Sequence, residues 1–415
     1  MENKKSKSLQ RLYQKKMSVL ENSSQSDHQT IRQQSRRDFL KSTAVVAGAG
    51  LVAVSAVPNT VQVQSPTGSG RTTKYHAYVS FQGDDRIAIF TIDSVTGKLV
   101  WQEDVAVNGG PAPLAIAPSK NFLYVGNRGS QEISSYQIDQ NTGGLSLIGK
   151  TPLQGEPVYV ATDRTGRFVL SAYYYQSTVA VHAVNSNGVA TFPPLEWRHT
   201  AHGAHAIQAD PSNRFVFVPH VANRGGPNAV FQFEFDKNTG RLTPNAIPKY
   251  SLQEYLGPRA LTFHPVLDIV YCSDEQGCSV TAFNMDPSAG TLTPFQTIST
   301  LPEGYNESNT CSQIQISPSG KFLYAPNRGH NSIASFTVDS STGRLTATGW
   351  VSTEPVPRAF SLDPEGSFLF VSGRESGRLA SYQVNQDNGT LTPLETYEGG
   401  SRPMWVLITQ LTGKE

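Results

Sequence analysis

The chain has little cysteine: Cys272, Cys278 and Cys311 are the only three in 415 residues. That excludes a disulfide framework. Cys272 and Cys278 flank a short loop and are candidates to pair outside the cytoplasm, but the reading adopted is three small buried or semi-buried side chains. Charge is sparse and nearly balanced, with 34 basic and 33 acidic residues. Residues 1–56 hold 10 basic and 4 acidic residues, so the remainder has 24 and 29 and a formal charge of −5. A phosphate-backbone binder needs a basic face, so nucleic acid is excluded as a partner. Past residue 56 no hydrophobic run is long enough to span a membrane. The sequence has no G-x-S-x-G elbow, no convincing Ser/His/Asp set and no cysteine-nucleophile signature. Gly225-Gly226 falls in a turn and lacks a phosphate-loop pattern. His199, His202 and His205 are spaced by three, whereas strand side chains alternate with period two. They therefore face opposite ways, and no metal or other cofactor is expected.

What is present begins with a targeting segment. Ser35-Arg36-Arg37-Asp38-Phe39-Leu40-Lys41 is a twin-arginine pattern, followed by the apolar run TAVVAGAGLVAVSA and small residues near Ala56. This order fits a twin-arginine signal over residues 1–56, with the export machinery as partner and a periplasmic or extracellular destination. Residues 57–74, rich in Ser, Thr, Gly and Pro, read as a flexible lead-in.

The rest is a repeat. APSKNFLYVGNR, DPSNRFVFVPHV, HPVLDIVYCSDE, SPSGKFLYAPNR and DPEGSFLFVSGR share one wording, and DRTGRFVLSAYY is a sixth copy. Their anchors, Pro118, Arg164, Pro211, Pro265, Pro318 and Pro364, lie 46, 47, 54, 53 and 46 residues apart. Each unit reads as four short strands joined by turns, the pattern of a propeller blade. RPMWVLITQL at the C-terminus supplies only the first strand of a unit, and YHAYVSFQGDDRIAIFTI near residue 75 supplies only the later strands. An open solenoid would carry polar caps at its ends. Complementary ends instead predict an all-β, seven-bladed β-propeller over residues 75–412. It has four antiparallel strands per blade, and one blade is shared between the termini, which leaves no long exposed edge.

Equivalent positions in the repeat define two rings at one mouth of the channel. Six residues before the anchor, the first strands carry Ala112, Val158, His205, Arg259, Ser312 and Arg358, with Met404 in the split blade. The loop after the second strand lies on the same face and carries Arg128, Tyr174, Val221, Glu275, Arg328 and Arg374, with His220 and Asp274 preceding two of these. A concave mouth with convergent polar groups is the default small-molecule site. Paired guanidiniums suit a carboxylate or phosphate and can stabilise an oxyanion. Glu275 among arginines should be ionised, and His205 can accept or donate a proton. His205, Glu275, Arg259 and Arg358 are the catalytic candidates. Arg128, Arg328, Arg374, His220 and Asp274 are the substrate-binding candidates. A salt-bridge network stitching blades together is the competing role.

These residues bring a family into view. The chain resembles the seven-bladed propeller lactonases, namely propeller-type 6-phosphogluconolactonase and the fungal carboxy-muconate lactonizing enzymes, over roughly residues 75–410. The resemblance is carried by Gly257-Pro258-Arg259, Phe263-His264-Pro265, Tyr271-Cys272-Ser273-Asp274-Glu275, Gly203-Ala204-His205, Pro357-Arg358 and Pro403-Met404-Trp405-Val406. It implies active-site roles for His205, Arg259, Glu275 and Arg358. It also implies a metal-independent lactonase acting on an anionic, phosphorylated or carboxylated, sugar-type lactone. A cycloisomerase on a muconate-like diacid and a non-catalytic binding platform are the alternatives. A calcium-dependent six-bladed lactonase is disfavoured by the repeat count and the lack of an acidic or amide ligand cluster. Two features depart from the family: Ala260 follows Arg259 where histidine is common, and the insertion Asn223–Asn228 is expected to widen the mouth.

Overall fold

The computed structural model describes residues 74–253 and 255–411. The twin-arginine segment, and the lead-in apart from Lys74, lie outside them. Seven antiparallel sheets account for the described strands, six with four strands and one with five. The sheet closest to the N-terminus is the split one. Lys74–Phe81 pairs with Pro403–Leu411 from Lys74↔Leu411 to Phe81↔Pro403, and Arg86–Ile92 and Leu99–Ala106 complete it. The other six blades begin with Pro111–Ile116, Pro157–Thr162, Gln208–Ala209, Pro258–Phe263, Thr310–Cys311 and Pro357–Leu362. The five-stranded sheet is the sixth blade, whose first strand is broken into Thr310–Cys311 and Gln315–Ile316.

Two recurring contacts give the repeated wording a physical cause. The Asp at the head of the D-P-x-x-x-F turn caps the start of the second strand. Asp210 Oδ1 accepts the N–H of Phe215 at 2.8 Å, and Asp163 and Asp363 do the same for Phe168 and Phe368. A tyrosine in the second strand then reaches the next blade. Tyr78, Tyr124, Tyr271 and Tyr324 donate to the carbonyls of Gly143, Gly188, Gly343 and Gly389 at 2.7–3.1 Å. Each of those glycines ends a turn at positive φ, from 67° at Gly343 to 83° at Gly188, where a side chain would strain the backbone.

The apolar core is not central. It forms seven clusters, each shared by two neighbouring blades, including one that joins Phe81, Phe90 and Val406 to Phe368 and Phe370 across the closure. With the hydrophobic contacts placed in the seams between blades, the inner strands are free to line a polar channel. Among the described residues the one helical segment is a 3-10 turn, Asn223–Gly225, and no helix is long and apolar enough to cross a membrane.

Candidate active site

One end of the channel opens into a narrow depression. Its wall contains Ala112, Val158, His205, Arg259, Arg358 and Met404, six of the seven expected first-strand positions, together with Arg128 from the loop ring. The seventh expected position is wrong. Ser312 is buried, and its hydroxyl donates to the Pro357 carbonyl at 2.8 Å, so Gln313 lines the wall instead. The sixth blade's first strand is interrupted at this point, between Thr310–Cys311 and Gln315–Ile316.

Backbone irregularity also presents the other side chains. The ladders skip a residue between Pro258 and Ala260, between Pro357 and Ala359, and between Pro157 and Tyr159. The skipped residues are Arg259, Arg358 and Val158. A bulge leaves the extra residue unpaired and re-aims its side chain, which turns both arginines into the channel. The Val158 bulge also brings Tyr159 to the wall, where its ring meets Trp405 edge-on at 5.5 Å and its hydroxyl contacts Gln208. The repeat wording did not single out Tyr159, Gln313 or Trp405. An aromatic residue directly after a ring position is the available sequence signal for Tyr159.

Arg259 is 4 % exposed and its Nε lies 2.7 Å from Glu275 Oε2; Arg328 reaches the same oxygen at 3.4 Å. Burial opposes ionisation of Glu275, but Arg328, Arg259 and Arg358 together outweigh it and hold its pKa below the ordinary carboxylate value. His205 is 9 % exposed, and its ring makes no side-chain hydrogen bond to the described residues. Burial first, then Arg259 and Arg358, hold its pKa well below 6.5, so its imidazole is neutral near pH 7. Burial and the neighbouring guanidiniums of Arg328 and Arg259 respectively lower the pKa of Arg259 to about 10 and of Arg358 well below 12.5.

The arginines outnumber their partners. Arg128 pairs with Glu156, and Arg259 and Arg328 share Glu275. The Arg358 side chain makes no ion pair to the described residues. The Nε groups of Arg128, Arg328 and Arg374 are buried without an acceptor. Buried donors without acceptors are costly, and an oxygen anion entering the cavity would relieve that of Arg128 on its wall.

Two expected binding residues are not at the mouth. His220 is fully buried: Nδ1 contacts the Val218 carbonyl and Nε2 the Thr200 hydroxyl, each at 2.9 Å, and its ring lies against Phe231. Asp274 is fully buried and accepts from Ser279 and Thr281 at 2.7 Å. Each precedes a loop-ring residue, and side-chain alternation points it into the blade. Arg374 stands apart from the cavity wall, in a neighbouring cleft with Arg402. The insertion does not simply widen the mouth. Asn223 accepts from the Tyr174 hydroxyl, and Asn228 Oδ1 accepts from the Gly257 N–H at 2.7 Å, two residues before Arg259. Among the described residues no group of three or more His, Cys, Asp or Glu side chains could hold a metal.

Comparison with known proteins identifies the family. Residues 53–161 and 110–408 match the family described as lactonase, 7-bladed beta-propeller, and residues 33–53 match the twin-arginine translocation pathway signal sequence. A 6-phosphogluconolactonase of Pectobacterium carotovorum is 32% identical over 334 residues, covering 80% of this chain and 98% of the relative. One of Yersinia pestis is also 32% identical, covering 81% and 98%. Among solved structures, a periplasmic gluconolactonase of Pseudomonas aeruginosa superposes with a TM-score of 0.75 at 23% identity, over 82% of this chain and all of that one. The signal match directs the chain into the twin-arginine export route, beyond the cytoplasmic membrane. The chain belongs to the seven-bladed β-propeller lactonase family and is, by that membership, a lactone hydrolase.

Proposed function

We propose that the chain hydrolyses an anionic, phosphorylated or carboxylated sugar-type lactone without a metal, and that His205, Arg259, Glu275 and Arg358 carry the reaction. The observation that supports this most is the excess of buried guanidinium around one neutral histidine. Arg358 and Arg128 face the cavity and would hold the substrate's anionic group. Arg259 would receive the carbonyl oxygen, which becomes an oxyanion as water attacks. Of the two acid–base candidates, His205 suits the proton transfers better. The Glu275 carboxylate is engaged by two arginines, which makes it a weak base, and its role is to orient them. Neutral His205 takes a proton from water as the water oxygen attacks the carbonyl carbon. It then returns that proton to the ring oxygen as the C–O bond breaks, giving a hydroxy acid. An incoming anion offsets the arginine field on His205 and strengthens it as a base when substrate is bound.

The test is acid release by the mature protein from 6-phosphogluconolactone, gluconolactone and carboxylated lactones, corrected for spontaneous opening, with mass analysis of the products. Turnover of an anionic lactone that is lost in both Arg259→Ala and His205→Asn is expected. Full activity in either folded variant would reject the site. A product of unchanged mass would replace hydrolysis by isomerisation.

A further inference from the structure

Cys278 and Cys311 stand together where the fifth and sixth blades meet, beside the mouth. Cys278 lies in the loop after Ile269–Asp274, and Cys311 ends the short strand Thr310–Cys311. The Thr300 hydroxyl joins them, donating to the Cys278 carbonyl at 2.9 Å and meeting Cys311 Sγ at 3.1 Å. Asn309 donates to Cys278 Sγ at 3.3 Å and to Asn327 Oδ1 at 3.0 Å, and Cys311 Sγ lies 3.8 Å from that same Asn327 oxygen. Cys272 belongs elsewhere: it is buried in the apolar seam between the fourth and fifth blades, with its thiol toward the Ser273 carbonyl. The short-loop pairing of Cys272 with Cys278 suggested by sequence is therefore not the one the fold prepares.

We propose that Cys278 and Cys311 are a disulfide site, closed after export and tying the fifth blade to the sixth behind Glu275. Compartments beyond the cytoplasmic membrane favour disulfides, and the twin-arginine signal directs the chain there. Access and reactivity divide between the two sulfurs. Cys278 is half-buried and Cys311 fully buried. The neighbouring Cys311 thiol holds the Cys278 thiol below its ordinary pKa, and Cys278 together with burial raises that of Cys311. Cys278 is thus the attacking thiolate. Its sulfur attacks a disulfide oxidant, glutathione disulfide or an oxidised dithiol protein, and one oxidant thiolate leaves. Cys311 then loses its proton and attacks the Cys278 sulfur of the mixed disulfide, releasing the second thiolate. Two protein thiols are oxidised and one oxidant disulfide is reduced to two thiols.

The bond would fix the backbone that positions the site. The Cys311 N–H donates to the Glu275 carbonyl at 3.1 Å, and the Cys311 carbonyl accepts from Arg328 at 2.5 Å. Arg328 in turn reaches the Glu275 carboxylate.

The test is a thiol map of the full mature chain recovered from the cell envelope. The protein is denatured and alkylated before and after reduction, then digested for mass analysis. The expected result is alkylation of Cys272 alone before reduction, with a Cys278–Cys311 peptide two hydrogen masses lighter than its parts. Alkylation of all three cysteines after incubation with excess glutathione disulfide would overturn the proposal, as would a link to Cys272. In Cys278→Ser and Cys311→Ser two cysteines should alkylate and no link should appear. Reductant should lower the Tm of the parent and leave that of Cys278→Ser unmoved; equal shifts in both would contradict the tether. The proposal rests on export and geometry, so it stands or falls separately from the lactonase reading.

Discussion

At His205, burial and two guanidiniums act in the same direction, both against the charged imidazolium. The pH profile should show it. The acid limb of kcat/KM reports the free protein's base and should lie below the ordinary 6.5 of histidine. Arg358→Ala removes one of the causes, so the limb should move up toward 6.5 in that variant. A limb at or above 6.5 in the parent would assign the base elsewhere. His220 affects stability instead. Burial lowers its pKa from 6.5 to about 3, so the unfolded chain takes up a proton there before the folded one. Its contribution is complete above about 6.5 and declines as pH falls from there toward about 3. Denaturant midpoints across that window, compared with His220→Gln, should show a flatter acid slope in the variant. The repeat-equivalent positions of the sequence locate His205, on the cavity wall, and Glu275, behind it against Arg259. His220 and Asp274 were misplaced because a one-residue offset along a strand reverses the face.

Among the elements, the bulges decide which side chains enter the channel. The repeat wording locates the inner strands, and a proline stands directly before each skipped ladder position: Pro157, Pro258, Pro357 and Pro403. The tyrosine contacts between blades are more legible, since the tyrosine and the turn glycine both recur in the repeat. Tyr271→Phe removes the bond to Gly343 while keeping the ring in its buried site. It should cost about 1 kcal/mol in urea unfolding and leave kcat/KM unchanged. A large loss of activity would mean that the contact positions the fifth blade's site residues as well.

For the whole molecule, closure is the main dependence. Lys74–Phe81 is completed only by Pro403–Leu411, and Val406 enters the seam with the last blade. A chain ending at Arg402 should lose its cooperative thermal transition, read by calorimetry. An unchanged Tm would show that the ring does not depend on its closing strand. Activity should also persist in excess chelator, because the chemistry is assigned to side chains. The split blade, the blade number and the acidic balance of the folded part were all readable from the repeat and the charge count. The seven separate seams of core were not, because they depend on which blades meet.

The proposed function has the arginine-lined mouth select an anionic lactone. The most direct measurement is kcat/KM for a phosphorylated or carboxylated lactone against its neutral counterpart, in the parent and in Arg358→Ala. A strong preference for the anion is expected in the parent, with about 10²-fold loss on the anionic substrate in the variant and little change on the neutral one. Equal losses on both substrates, or no preference in the parent, would contradict it.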